Sequence, residues 1–543
     1  MDAFKVHREL IEDYRRFTEG FVGATDTRIR EYLEQQSAEG RQWPDPWLSL
    51  NPSFAPGGSV DELVQSHVLH PDAARIFRVK KDLADTGASA PIAFHKHQRD
   101  AIETAATRKS YVLTTGTGSG KSLAYIVPIV DRVLREGTGK GTKAIIVYPM
   151  NALANSQLVE LEKFLTFGFG GKQPVTFRRY TGQESHDERQ EILASPPDIL
   201  LTNYVMLDLV MTRPDERLSL IKAAKGLEFL VLDELHTYRG RQGADVGMLV
   251  RRVREACEAT QTLQCVGTSA TMSSGGTLAE QRAEVARVAT QIFGTEVAPD
   301  SVITETLVRA GRGDEVSAEQ LRPLIEKRGT VEAPKLELTA DELSHDPLAG
   351  WIEQEFGLDI EAESQALVRQ KPTTVSKAAE KLAALTGTDE SLAATAIRAT
   401  LLAGANAKNA IGRSFFAFRL HQFLSKGGNV FASPESPSSR AIETNFQVTM
   451  PGPPERRLYP LAFCRECGQE YLIARRSDPQ AAGFAHARHQ IRTADRADGY
   501  LYISDDQPWP VDPVEEGRLP GSWLSVTASG TGARKVGSSE AGA

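Results

Sequence analysis

Cysteine is scarce in this sequence, and long apolar runs are missing from it. Four cysteines occur among 543 residues, which excludes a disulfide-stabilised scaffold and is typical of a reducing cytoplasm. No run of about 18 apolar residues occurs, which argues against a membrane span. The first five residues, Met1–Lys5, lack the apolar core of a signal peptide. We therefore expect a cytoplasmic protein with no membrane partner.

The sequence also lacks an excess of basic residues. Its 63 Lys and Arg against 71 Asp and Glu give a formal net charge of −8, so no global positive field indicates nucleic-acid binding. That balance does not exclude a protein that holds phosphates locally through backbone amides and a few side chains. With 41% hydrophobic residues, a chain of this length should form about three to four domains.

A glycine-rich run follows the apolar stretch Tyr111–Leu113. Its spacing is close to the P-loop pattern G-x-x-x-x-G-K-[ST], with Thr115 in place of the first glycine. A strand, a glycine turn and a helix over 122–134 would point backbone N–H groups at one spot, which suits a triphosphate. Lys121 would meet the outer phosphates and Ser122 would ligate Mg²⁺. The predicted nucleotide-binding residues of this loop are Thr117, Gly118, Ser119, Gly120, Lys121 and Ser122.

An acidic pair follows a second apolar run, residues 228–232, which reads as a buried parallel strand. Asp233 would hold Mg²⁺, and Glu234 would orient and deprotonate the attacking water. His236 could couple this site to a neighbouring strand. The alternative is that Asp233 and Glu234 only cap the next helix. The P-loop upstream favours the catalytic interpretation, with Lys121, Asp233 and Glu234 as the catalytic residues.

A third predicted strand, residues 262–267, leads into Thr268-Ser269-Ala270-Thr271. In this order, 117–122, 233–236 and 269–271 resemble motifs I, II and III of the superfamily 2 DEAD/DEAH-box helicases. The segment around Gln98 resembles the upstream glutamine motif of that family, and residues 145–153 and 198–204 resemble its later nucleic-acid motifs. The resemblance covers roughly residues 90–310. Leu235 departs from the usual alanine or cysteine, so the acidic box is a variant.

The resemblance implies an ATP- and Mg²⁺-dependent helicase that acts on nucleic acid, with DNA favoured over RNA. It implies that Gln98 recognises the adenine base and that Ser269 and Thr271 couple ATP hydrolysis to nucleic-acid binding. The residues that it implies at the nucleic-acid backbone are Tyr148, Asn151, Thr202, Asn203 and, in the loop after the acidic box, Arg239. The arginines of the following helix at 251, 252 and 254, together with Arg239 and Arg241, could reach a DNA strand or form a solvated basic face.

Alternating strands and helices predict an α/β fold, a RecA-like P-loop domain whose parallel sheet carries helices on both faces. Helical accessory regions and a partial zinc-knuckle-like module would accompany it. The expected organisation is an N-terminal helical region (1–90), the RecA-like domain (91–311), a helical insertion (312–430), a cysteine-pair module (431–525) and a disordered tail (526–543).

The pair Cys464 and Cys467, in a C-x-x-C followed by glycine, has zinc-knuckle character because the turn aims both thiolates at one metal. Two cysteines are half of a tetrahedral site, which His486 and His489 or ligands from outside this chain would complete. A redox-active pair is the alternative, although no thioredoxin-like context surrounds it. We expect Zn²⁺ here.

The region 312–525 resembles the segment between the two motor domains of large bacterial Lhr-like and MrfA-like helicases, some of them of the phage-defence type. The resemblance implies a second RecA-like domain that supplies an arginine finger, and no segment of this sequence matches one. We therefore expect a downstream domain or a protein partner to supply that arginine. A non-motor nucleic-acid-binding or assembly subunit, or a truncated inactive helicase fragment, are the alternatives.

Overall fold

The computed structural model describes residues 2–533. The ranges left out are 20–23, 39–42, 81–88, 117, 170–171, 271–275, 315, 332–334, 410–411, 425–429, 453–455, 465–466, 477–483, 487–497, 504–509, 513, 517–523 and 528–529. Two compact units are present. One comprises 51–313 with 353–370, and the other comprises 1–50, 314–352 and 371–543. Among the described residues, no helix combines the length and apolar composition that crossing a membrane requires.

The first unit is built on a sheet of seven parallel strands, which confirms the predicted RecA-like α/β architecture. In chain order the strands are β1 (Tyr111–Thr114), β2 (Ala144–Tyr148), β3 (Phe177–Arg179), β4 (Ile199–Asn203), β5 (Phe229–Leu232), β6 (Gln264–Ser269) and β7 (Val302–Thr304). Across the sheet their order is β7-β1-β6-β5-β2-β4-β3. The strand order therefore brings β1, β6 and β5, which carry the three predicted motifs, side by side.

Among the described residues of this unit, seven main helices accompany the sheet. They are α1 (Lys96–Ala106), α2 (Leu123–Glu136), α3 (Asn151–Leu165), α4 (His186–Ala194), α5 (Tyr204–Thr212), α6 (Gly240–Ala256) and α7 (Leu278–Phe293). Successive strand residues enter two different cores: Leu113 lies in one cluster of buried side chains, and its neighbour Val112 lies in the other. Both faces of the sheet are thus covered, which is why its strands are apolar without alternation.

Shorter elements complete the first unit. They are the helices Val60–Gln65, Ala73–Ile76 and Pro214–Glu216, the π-helix Arg217–Ile221, the 3₁₀ turns Leu235–Thr237 and Pro299–Ser301, and the strands Ser53–Phe54, Pro56–Ser59, Ala93–His95 and Leu307–Val308. An antiparallel hairpin of β8 (Leu358–Ile360) and β9 (Leu367–Arg369) also belongs to this unit. The hairpin comes from within the predicted insertion, after the helix Pro347–Phe356, whose residues divide between the two units.

The second unit combines helices with small antiparallel sheets. Its helices are Ala3–Glu19, Thr27–Ala38, Ala318–Arg328, Ala340–Ser344, Val375–Thr386 and Glu390–Asn406. Its strands are Trp47–Leu50, Thr373–Thr374, Phe418–His421, Phe431–Ala432, Ile442–Glu443, Thr449–Met450, Arg456–Arg457, Tyr459–Phe463, Glu470–Arg476, Phe484–His486, Asp498–Leu501, Leu524–Thr527 and Gly530–Ala533. Of the helices, Val375–Thr386 and Glu390–Asn406 lie within the predicted helical insertion.

The structure does not support the predicted zinc site. Cys464 is half-buried and Cys467 is exposed, and the Gly468 N–H donates a 2.9 Å hydrogen bond to the Cys464 carbonyl. In the part of the chain that the structure describes, no group of three or more His, Cys, Asp or Glu side chains could hold a metal ion. The side chains of His486 and His489 lie outside the described residues.

Candidate active site

The P-loop connects β1 to α2 as predicted. Gly118 and Gly120 have φ angles of +80° and +72°, in the left-handed region that favours glycine. The Thr115 and Ser119 hydroxyls lie 2.6 Å apart across the loop, so the threonine that replaces the first glycine ties the loop together. Thr117 lies outside the described residues. The loop ends at the N-terminus of α2 (Leu123), and the positive end of a helix dipole suits an anion.

Gln98 binds the P-loop itself. Its side-chain amide is buried and donates a 2.8 Å hydrogen bond to the Gly120 carbonyl, while its oxygen accepts a 2.8 Å bond from the His95 N–H. His97, which the motif reasoning did not single out, adds a ring contact of 3.0 Å to the Ser119 carbonyl. Burial lowers the pKa of His97. These side chains fix the loop from the α1 side, and a role of Gln98 in reading adenine stays a prediction.

The acidic box follows β5 and faces the P-loop. Asp233 Oδ1 accepts a 2.5 Å hydrogen bond from the Thr268 hydroxyl, which also accepts a 3.1 Å bond from the Glu234 N–H. Glu234 has a φ of +49°, an uncommon conformation for a residue with a side chain. Burial raises the pKa of Asp233. The Thr268 hydroxyl thus holds both predicted acidic residues, although no motif pointed to Thr268.

Lys121 lies among carboxylates. Its ammonium donates a 3.3 Å hydrogen bond to the Thr115 carbonyl. Burial lowers the pKa of Lys121, and the negative charges of Glu234, Asp233 and Glu305 act in the opposite direction. A half-buried cation within reach of these carboxylates is an arrangement that suits a bound phosphate and its metal ion.

His236 connects the acidic box to the end of β6. Its Nδ1 lies 3.3 Å from Glu234 Oε2 and 3.3 Å from the Ser269 hydroxyl. The Ser269 carbonyl in turn accepts a 3.2 Å hydrogen bond from the Thr115 N–H of the P-loop. Motifs I, II and III are therefore in direct contact through main-chain and side-chain atoms. Thr271 lies outside the described residues.

The predicted nucleic-acid residues divide into two groups. Asn151 and Asn203 are joined by a 2.7 Å hydrogen bond and line a surface cavity of ≈ 510 Å³ at the carboxyl ends of β2 and β4. Tyr148 is fully buried and its hydroxyl lies 3.5 Å from that of Tyr125. Thr202 is buried and donates to a main-chain carbonyl. Because the side chains of Tyr148 and Thr202 are enclosed in the domain, the structure does not support their predicted contact with the nucleic-acid backbone.

The arginines after the acidic box mostly serve the fold. Arg251 and Arg254 donate to main-chain carbonyls at the end of α7, and Arg252 forms a 2.5 Å ion pair with Asp208. Arg239 is exposed and lines a second cavity, of ≈ 790 Å³. Arg239 and the exposed Arg241 therefore stay nucleic-acid candidates.

Glu305 and Arg369 also reach the P-loop, and no motif pointed to them. Glu305 follows β7, and its carboxylate accepts a 2.8 Å hydrogen bond from the Gly116 N–H. Arg369, the last residue of β9, forms a 2.5 Å ion pair with Glu305. The carboxyl end of a strand beside the P-loop strand is a position that could have suggested Glu305.

Comparison with known proteins agrees with this geometry. Residues 95–278 match the family model described as DEAD/DEAH box helicase. Druantia protein DruE of Escherichia coli (strain UMEA 4076-1) is 24% identical over 381 residues, which cover 49% of this chain and 20% of DruE. The uncharacterized ATP-dependent helicase YprA of Bacillus subtilis (strain 168) is 29% identical over 210 residues, which cover 38% of this chain and 26% of YprA.

Among solved structures, the DUF1998 helicase MrfA bound to DNA aligns with a TM-score of 0.36 at 20% identity, over 53% of this chain and 38% of MrfA. The matched segments span at most about a quarter of the length of DruE and YprA.

Proposed function

We propose, on the premise that residues 95–278 form a DEAD/DEAH box helicase domain, that this chain is the ATP-binding part of a nucleic-acid helicase. The observation that carries the proposal is the contact of three motifs at one edge of the sheet. Lys121, Asp233 with Glu234, and Ser269 meet there through Thr115 and Thr268. Each motif has the side-chain chemistry that phosphoryl transfer to water requires.

The residues present fit ATP with Mg²⁺. Glu234 Oε2 is buried and contacts His236 Nδ1 at 3.3 Å, and no other described group donates a hydrogen bond to it, so it can accept one from a water molecule. Ser122 and Asp233 would supply oxygen ligands to the metal ion, and Lys121 would pair with the outer phosphates. Mg²⁺, when bound, neutralises phosphate charge. Glu234 would orient and deprotonate the attacking water, and His236 would hold the Glu234 carboxylate through the 3.3 Å contact.

A nucleic acid is the substrate that this site would serve. Asn151 and Asn203 line a cavity at the carboxyl ends of β2 and β4, and the side-chain amide of Asn151 suits phosphate and sugar oxygens. The Asn203 amide nitrogen already donates to Asn151 and to the Thr181 carbonyl, so its contact with nucleic acid stays a prediction. DNA rather than RNA stays a prediction, as does a partner or further domain that supplies an arginine to the γ-phosphate. A role in phage defence is also a prediction, which the similarity to Druantia protein DruE supports.

Steady-state ATP hydrolysis by the full chain, with and without single-stranded DNA or RNA, tests the proposal together with equilibrium binding of a fluorescent ATP analogue. We expect Mg²⁺-dependent binding that Lys121→Ala abolishes. Lys172→Ala, which removes a lysine of the loop after α3, is the control. Wild-type protein without detectable ATP binding, or a Lys121→Ala variant that binds like wild type, contradicts the proposal.

A further inference from the structure

We propose that Arg369, on the hairpin inserted after the helicase motifs, is a positioning residue of the ATP site that neutralises Glu305 beside the phosphate-binding loop. The inference rests on the proposed function and goes beyond it, because the P-loop is then completed by a segment about 250 residues downstream.

The contacts at Gly116 are tight. The Gly116 N–H donates a 2.8 Å hydrogen bond to Glu305 Oε2, and a β-carbon at this position would lie 2.8 Å from Arg369 Nη2. Real β-carbons essentially never come that close to another heavy atom. The guanidinium therefore lies directly against the first turn of the P-loop, and the absence of a side chain at Gly116 makes room for it.

Arg369 is held in place from several directions. It donates to Glu305 through Nε at 2.5 Å and Nη2 at 3.2 Å, and its Nη1 donates a 3.1 Å hydrogen bond to Asn51. The guanidinium also lies 5.7 Å from the centre of the Phe54 ring. A two-point pair with a carboxylate is the strong geometry for arginine. This arginine is pre-organised rather than a mobile surface side chain.

The charge of the Arg369 guanidinium offsets a carboxylate near the phosphate-binding loop. Glu305, Asp233 and Glu234 are all close enough to act on the Lys121 ammonium. Asp233 and Glu234 have a use at a magnesium nucleotide site, whereas Glu305 would only repel the phosphates. Arg369 cancels that repulsion while Glu305 still accepts the Gly116 N–H. The pair thus fixes the loop without adding net charge where an anion must bind.

This role predicts opposite effects for the two members of the pair. Arg369→Gln leaves the Glu305 charge uncompensated, so ATP binding should weaken by about tenfold. Glu305→Gln keeps an oxygen that can accept the Gly116 N–H and leaves the Arg369 charge uncompensated, so ATP binding should tighten. The double variant should return to within about threefold of wild type. ADP, which carries less charge, should respond less than ATP to each single change.

The experiment is equilibrium binding of fluorescent ATP and ADP analogues with Mg²⁺ to the full chain, for wild type, both single variants and the double variant. Arg179 and Glu184, a 2.8 Å ion pair at the opposite edge of the sheet, provide the matched controls Arg179→Gln and Glu184→Gln. Thermal unfolding of each variant checks that it folds.

If the ion pair of Arg369 and Glu305 only stabilises the fold, both single variants should weaken ATP binding and the double variant should bind ATP no more tightly than they do. That result overturns the inference. Should Arg369→Gln not fold, Glu305→Gln still decides, because weaker ATP binding by that variant contradicts the charge argument. Loss of ATP binding by the wild-type chain would instead contradict the proposed function. Normal wild-type binding that depends on Lys121 and is unchanged in all three variants contradicts only the role of Arg369.

Discussion

The Thr268 hydroxyl donates a 2.5 Å hydrogen bond to the Asp233 carboxylate and accepts a 3.1 Å hydrogen bond from the backbone N–H of Glu234. The hydroxyl lies at the end of β6, between the P-loop strand and the strand of the acidic box. It therefore fixes both the predicted metal ligand and the backbone of the predicted base, including the unusual positive φ of Glu234.

Thr268→Val should lower the rate of ATP hydrolysis at saturating ATP by about tenfold or more, because Glu234 loses its fixed orientation and Asp233 loses its donor. ATP affinity should change by less than about threefold, since the P-loop is untouched. Steady-state kinetics separate the two quantities. Thr262→Val, which removes a hydroxyl near the start of the same strand, should leave both near wild type. An unchanged rate would show that Thr268 does not orient the acidic box.

Gln98→Ala should weaken ATP binding and lower the free energy of unfolding by about 1–3 kcal/mol, because the buried carbonyl of Gly120 loses its donor. Chemical denaturation and ATP binding measure the two effects. Gln183→Ala, at an exposed glutamine of the same unit, is the control and should change neither. An effect on ATP but none on ADP or on unfolding would favour a direct role in nucleotide recognition over support of the loop.

Gly120→Ala should abolish ATP binding. Gly120 has a φ of +72°, and a β-carbon there would lie 2.5 Å from the Gln98 amide nitrogen, so both strain and collision displace the loop. Gly139→Ala separates the two causes, because Gly139 has a φ of +75° with no described heavy atom within 4 Å of the added carbon. That control should cost about 1 kcal/mol of stability and leave ATP binding intact. Retained binding by Gly120→Ala would contradict the loop geometry.

The stability of the protein should depend on pH through Glu228, at the start of β5. Burial, together with a hydrogen bond to Glu136, raises the pKa of Glu228 to about 7. The folded state therefore holds a proton that the unfolded state releases above its ordinary pKa of 4.5. For this group, the free energy of unfolding falls as pH rises from about 5 to about 7 and then levels off.

Glu228→Gln should remove that fall, since the amide stays neutral and can still donate to Glu136. Denaturant titrations of both proteins at several pH values give the difference in the free energy of unfolding. The exposed Glu160→Gln variant should run parallel to wild type. Parallel curves for Glu228→Gln and wild type would contradict the raised pKa.

The parts of the fold that depend on local pattern could be predicted from the sequence. The strand, glycine turn and helix around Lys121 are continuous in the chain, and the stripe of Val246, Leu249, Val250 and Val253 in α6 is buried as its spacing indicates. Tyr148 shows the limit. In a strand that is buried on both faces, the last residue carries no polar alternation that would reveal whether its side chain points into the core or out.

Long-range pairing could not be predicted in the same way. Glu305 and Arg369 are separated by three helices and lie outside every recognisable motif. Their contact depends on which strand is next to β1 and on how one short hairpin packs, and a single sequence specifies neither directly. For the same reason the motifs located the acidic box correctly but did not indicate Thr268, which positions it.

The contact between the hairpin of β8 and β9 and the P-loop has a consequence for how the protein folds during translation. Gly116 leaves the ribosome about 250 residues before Arg369, and at roughly 5–20 residues per second this interval lasts on the order of ten seconds or more. During synthesis, β1 to β7 can assemble around a P-loop that still faces an unpaired Glu305. The nascent domain therefore passes through a stage in which its sheet is complete and its anion site is not, and nucleotide affinity should reach its full value only after the hairpin of β8 and β9 has emerged.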